Sequence, residues 1–135
     1  MPDIGLTHIA LPVRSLDASI AFYGRYGHMR VVHRRDDVVW LSDETRPFVV
    51  VLLADADAIV PLTRPAHLGV GVASRLEVDR LCDIARTEGC LVSAPKDSGP
   101  PVGYWASLRD PDGHSLELSF GQEVGLATAD AKDRG

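Results

Sequence analysis

The chain writes one short pattern twice. Residues 7–15 read Thr-His-Ile-Ala-Leu-Pro-Val-Arg-Ser, and residues 66–74 read Ala-His-Leu-Gly-Val-Gly-Val-Ala-Ser. In each copy a histidine opens a run of alternating residues, and a serine follows it by seven positions. Strict alternation is the period of a strand. Ile9, Leu11 and Val13 therefore share one face, with His8, Ala10 and Pro12 on the other. Leu68, Val70 and Val72 likewise oppose His67, Gly69 and Gly71. The apolar face needs a helix to cover it. The opposite face of the second copy is nearly bare backbone around one imidazole, which suits a ligand hollow better than a core. A repeat on this scale makes the whole chain two similar units.

The rest of the chain fits that division. Ser15 is placed to cap a helix carrying Leu16, Ile20 and Tyr23, which Gly24 and Gly27 would end. Met29–Arg35, Val38–Leu41 and Phe48–Leu53 read as strands, the last buried on both faces. In the second unit Ser74-Arg75-Leu76-Glu77 has the form of a capping box, and Gly89 is a fitting helix end. Short strands are expected at 91–93, 104–108 and 115–120, with 95–103 as a loop and Asp110-Pro111-Asp112-Gly113 as a turn. On the last strand Leu116, Leu118 and Phe120 are expected to face the core, with Ser115, Glu117 and Ser119 opposite. The expectation is an α+β fold of two βαβββ modules, residues 1–54 and 66–121. A linker spans 55–65 and a flexible tail 122–135. Side by side, the modules would form a curved eight-strand cup with the helices outside.

Composition narrows the function classes. With 45% hydrophobic and 24% charged residues, the 135-residue chain is an ordinary globular one. Its net charge of −5 and the absence of a Lys/Arg run argue against nucleic acid and anionic membranes as partners. The longest apolar run, 48–54, is too short to span a bilayer. The opening Met1-Pro2-Asp3-Ile4-Gly5 lacks a basic-then-apolar leader pattern, so the cytoplasm is the expected compartment. Cys82 and Cys90 lack metal or redox spacing and are read as reduced packing residues.

Alternation aims His8, His67 and Glu117 at the concave side. Two imidazoles and a carboxylate suit an octahedral divalent ion such as Fe(II) or Mn(II) and leave positions open for substrate. No cysteine joins them, which argues against a thiolate zinc site. His28, His33 and His114 fall at turns or strand edges and read as surface residues. Trp40, Tyr104 and Trp105 are candidates for an aromatic wall, or for sheet packing. Lys96 and Arg109 could meet an anion, and Tyr104 or Lys96 could move a proton.

The stretches His8-Ile9-Ala10-Leu11, Ser19-Ile20-Ala21-Phe22-Tyr23, His67-Leu68-Gly69-Val70 and Asp110-Pro111-Asp112-Gly113-His114-Ser115-Leu116-Glu117-Leu118 resemble the vicinal oxygen chelate superfamily. That superfamily includes glyoxalase I, extradiol dioxygenases, and fosfomycin- and bleomycin-resistance proteins. The resemblance implies that His8, His67 and Glu117 fall on the family's metal positions. It also implies a homodimer, often with a cup shared so that His8 comes from one chain and His67 with Glu117 from the other. The ion would be Fe(II), Mn(II), Ni(II) or Zn(II).

Departures from the family pattern steer the choice of reaction. Glyoxalase I and the epimerases usually carry a fourth ligand on the first module's last strand, where Val51 stands here. The fosfomycin-resistance threonine and tyrosine positions hold Ala10 and Ser107. Bleomycin-binding members lack the triad that this chain keeps. A triad metal holding two neighbouring oxygens of a small substrate is therefore expected, most readily in dioxygenase-like chemistry. The alternatives are a glyoxalase-like lyase or isomerase and a non-catalytic, antibiotic-binding resistance protein.

Overall fold

The computed structural model describes residues 2–55, 57 and 59–135; Met1 and two linker residues, Ala56 and Ala58, lie outside the described residues. The expected order of elements is present. The first module holds β1 (His8–Val13), α1 (Leu16–Gly27), β2 (Arg30–Arg35), β3 (Val38–Ser42) and β4 (Val49–Ala54). The second holds β5 (Leu68–Gly71), α2 (Arg75–Glu88), β6 (Leu91–Asp97), β7 (Tyr104–Arg109) and β8 (Ser115–Phe120). The strands form two four-stranded mixed sheets, ordered β1-β4-β3-β2 and β5-β8-β7-β6, with the outer pairs β1–β4 and β5–β8 parallel. Contacts divide the chain after Arg64, and residues 110–114, between β7 and β8, group with the first module.

The helix signals act as the sequence proposes. The Ser15 hydroxyl accepts from Ala18 N at 3.2 Å, and the Ser74 hydroxyl accepts from Glu77 N at 3.1 Å. Each bond satisfies an amide that the first helical turn leaves open. Gly89 closes α2 in the left-handed region at φ 77°. The first helix differs in part from expectation. It runs through Gly24, ends at Gly27 as expected, and takes His28 rather than a glycine in the left-handed position at φ 54°.

In the first module Phe22, Tyr23 and Tyr26 of α1 are buried, as are Leu11, Val13, Val39, Leu41, Val50 and Leu52 of the sheet. The intervening sheet residues, among them His8, Trp40, Val49 and Val51, line an open cavity on the other face. In the second, Val78 and Cys82 of α2 form a core with Ala106, closed by Val72, Leu91 and Tyr104.

Two expectations about this module change. Strand β6 continues through Pro95 to Asp97, where a loop was expected. It is an edge strand with two register shifts, a setting that tolerates a missing amide donor. Phe120 is 39% exposed rather than core, because β8 ends there. Within the tail, residues 124–134 form the helix α3, none of whose residues is buried. No described helix is long and apolar enough to cross a membrane.

Candidate metal centre

The second module brings two of the three sequence candidates together. His67 stands just before β5, and Glu117 lies mid-strand in β8, 5% exposed. Nε2 of His67 is 3.5 Å from Oε1 of Glu117. The other imidazole nitrogen, Nδ1, lies 2.9 Å from the Pro65 carbonyl oxygen. A carbonyl can only accept, so Nδ1 carries the proton. In the neutral ring Nε2 then holds a lone pair, and it faces a carboxylate, also an acceptor. With the ring protonated the same contact is an ion pair. The second carboxylate oxygen, Oε2, accepts from Gln122 Nε2 at 3.3 Å. Gly69 is the register partner of Glu117, and a Cβ built on it would come 3.9 Å from Oε2. A larger side chain there would crowd the carboxylate.

The third candidate, His8, begins β1 and lines the first module's cavity of about 800 Å³. Its Nδ1 is 2.9 Å from the Thr7 hydroxyl. That hydroxyl can accept from Nδ1–H, the tautomer that leaves Nε2 open to a ligand. Among the described residues, no cluster of three or more His, Cys, Asp or Glu side chains is preassembled for a metal.

Strand register explains the missing fourth ligand. Glu117 pairs with Gly69, two residues after His67. Val51 pairs with Ala10, two residues after His8. Val51 thus holds in the first module the position that Glu117 holds in the second. Across the sheet, the next residue in the row is Trp40 in one module and Ser107 in the other. The duplicated framework keeps its backbone and carries a carboxylate on one side and hydrocarbon on the other.

Several other sequence candidates are placed elsewhere. Tyr104 turns to the helix side, where its hydroxyl donates to Asp79 and the Arg75 guanidinium lies 4.6 Å over its ring. These contacts occupy it as a proton carrier. The Lys96 ammonium lies 4.8 Å over the Trp105 ring, and Arg109 donates to the Gly89 carbonyl. Neither cysteine is in a disulfide, Cys82 being buried and Cys90 half-buried. Burial first, then Asp79, pushes the Cys82 thiol up to about 11.

His114 corrects the reading of it as a surface residue: it is 1% exposed. Its Nδ1 accepts from Leu62 N at 2.9 Å, and its Nε2–H donates to the Pro12 carbonyl at 2.7 Å. The adjoining turn is equally committed. Asp110 Oδ2 accepts from the Tyr23 hydroxyl at 2.7 Å, while Oδ1 accepts from the amides of Asp112 and His114. Asp112 Oδ1 accepts from the amide and the guanidinium of Arg14. Tyr23, Arg14 and Pro12 lie 87, 98 and 102 residues from their partners and Leu62 lies 52, so no local periodicity announces them.

With that architecture in view, the comparisons are specific. Residues 5–118 match the Glyoxalase/Bleomycin resistance protein/Dioxygenase superfamily, and the chain belongs to it. It is therefore a vicinal oxygen chelate protein. An uncharacterized protein of Pseudomonas aeruginosa is 42% identical over 127 residues, covering 89% of this chain and 91% of the relative. The trypanothione-dependent glyoxalase I of Leishmania major is similar in structure, with a TM-score of 0.71 and 25% identity. The match covers 98% of this chain and 99% of that one. The fosfomycin resistance protein FosX of Listeria monocytogenes superposes with a TM-score of 0.72 at 20% identity, covering 91% and 98%. That last likeness speaks to fold alone.

Proposed function

We infer that the protein is a metal-dependent enzyme acting on a small substrate with two neighbouring oxygens, and that its chemistry is dioxygenase-like. His8, His67 and Glu117 would hold the divalent ion, Fe(II), Mn(II), Ni(II) or Zn(II); two histidines and one carboxylate with open positions is the arrangement that suits Fe(II). The observation that carries the reading is the His67–Glu117 pair, with its Nδ1 proton directed away to the Pro65 carbonyl. When bound, such an ion supplies Lewis acidity and open positions for two substrate oxygens. The chain's own residues then orient and enclose. Pro65 fixes the His67 tautomer, Gln122 holds one oxygen of Glu117, and Trp40 and Val51 supply apolar wall beside His8.

The glyoxalase-like alternative is weaker because Val51 stands where an isomerase would place a carboxylate or amide. Removing and returning a substrate proton needs such a group close by. In this reading the site is completed in a homodimer, with His8 and the His67–Glu117 pair contributed by different copies.

Metal titration of protein stripped with chelator tests the proposal. The expected result is one Fe(II) or Mn(II) per chain, with binding lost in His67→Ala and in Glu117→Gln. Mixing His8→Ala with His67→Ala chains would restore about one intact site per two in mixed dimers. Failure of the wild-type protein to bind any divalent ion at stoichiometry would remove the enzyme reading and leave the antibiotic-binding alternative. Oxygen uptake with a panel of catechols then separates dioxygenase from lyase chemistry.

A further inference from the structure

The geometry points to Arg46 as the anchor for an anionic substrate group, making the ligand of the first module's cavity a small planar carboxylate with an apolar body. The inference deepens the function proposed above by naming a substrate class, and its physical basis is independent of metal.

The cavity wall is mostly hydrocarbon. Trp40 and Phe48 are half-buried in it, with Val38 and Val51 beside them. Its volume of about 800 Å³ falls in the range of small-molecule sites. Two arginines reach it, Arg35 and Arg46, and neither makes an ion pair among the described residues. Strand register separates them. Arg35 pairs with Val38 at one end of β3, while Arg46 lies in the loop after Ser42, at the other end. His8 pairs with Val49, the residue after Phe48, so Arg46 shares its end of the sheet with His8.

The loop that carries Arg46 is held by its own hydrogen bonds. The Ser42 hydroxyl accepts from Glu44 N at 2.8 Å, and Asp43 Oδ1 accepts from both the amide and the hydroxyl of Thr45. Glu44 pairs with Arg30, and Phe48 N donates to the Arg46 carbonyl at 2.8 Å. The two acids nearest in sequence are therefore committed to other partners, and the guanidinium is left at the cavity. Asp3 and Asp36 also line the cavity and make no ion pair among the described residues. The lining is formally balanced, with Arg35 and Arg46 against Asp3 and Asp36, and Arg46 supplies its positive group beside the aromatic wall of Trp40 and Phe48. A guanidinium fork matches a carboxylate bidentately, and the aromatic walls suit a flat body.

The test uses chelator-treated protein throughout, so its outcome does not depend on the metal reading. Benzoate and its neutral analogue benzamide are titrated while the Trp40 indole N–H is followed by NMR, assigned with Trp40→Phe. Benzoate is expected to shift that signal saturably and to bind at least about tenfold tighter than benzamide. Arg46→Gln should erase the preference, Arg46→Lys should restore part of it, and Arg35→Gln should leave it within about twofold. Arg46 is exposed, so these variants should keep the wild-type spectrum elsewhere. Equal binding of the two probes, no binding of either, or a preference untouched by Arg46→Gln would each overturn the assignment.

Discussion

The Tyr23 hydroxyl donates a 2.7 Å hydrogen bond to Asp110, 87 residues further along the chain, and both groups are buried. Burial, and secondarily Asp110, raise the Tyr23 hydroxyl far above the usual phenol range, so it stays a donor. Tyr23→Phe would leave one oxygen of a buried carboxylate without its partner. Such a loss costs about 1.5–3 kcal/mol, because the bond is charge-assisted and shielded from water. Urea denaturation should show the midpoint falling with the slope unchanged.

Cys82 gives the fold a predictable alkaline weakness. Its thiol is raised from an ordinary 9.0 to about 11, chiefly by burial. A raised folded value means that the folded state holds the proton more tightly than the unfolded one. Its stabilising contribution is therefore complete below about pH 9 and is lost as pH rises toward 11. Thermal melts at pH 8 and 10.5 should show a larger drop for wild type than for Cys82→Ala. A disulfide-exchange reagent at pH 8 should label Cys90 well before Cys82.

Gln122 positions the carboxylate of Glu117 without touching the ion itself in the proposed site. Gln122→Leu should weaken divalent-metal affinity by about tenfold, within the range seen when a partner of a metal ligand is removed. Isothermal titration with Mn(II) reads this directly.

Val51→Glu places a carboxylate at the register position of Glu117 in the other module. Val51 is 7% exposed, so the unpaired acid should lower the melting temperature of metal-free protein. Mn(II) should then raise the variant's melting temperature more than it raises that of wild type. Equal metal-induced shifts would show that the position lies outside coordination reach.

The repeat around His8 and His67 was enough to read the two modules, because alternation and capping are local signals. Ser15, Ser74 and Gly89 act in the structure as their neighbours suggest. His114 and Asp112 were illegible for the opposite reason, since their partners at Pro12, Leu62 and Arg14 come from remote sequence. Tyr104 shows a third limit. Its strand position was clear from sequence, but only the register with Phe120 and the proximity of α2 turn it away from the face that carries Glu117. At the site, the face shared by His67 and Glu117 was readable from period two. The tautomer set by Pro65 and the support from Gln122 were not, because both depend on chain bends just outside the strands.

The turn at 110–114 limits how far the duplication can be taken apart. A fragment ending at Arg64 would keep every strand of the first half and still lack the peptide that answers Tyr23, Arg14 and the Pro12 carbonyl. The ancestral seam visible in the repeat is therefore no longer a place where this polypeptide can be divided. The first half now holds part of its neighbour's sequence in its own interior, and any engineered shuffling of the halves has to carry those five residues with it.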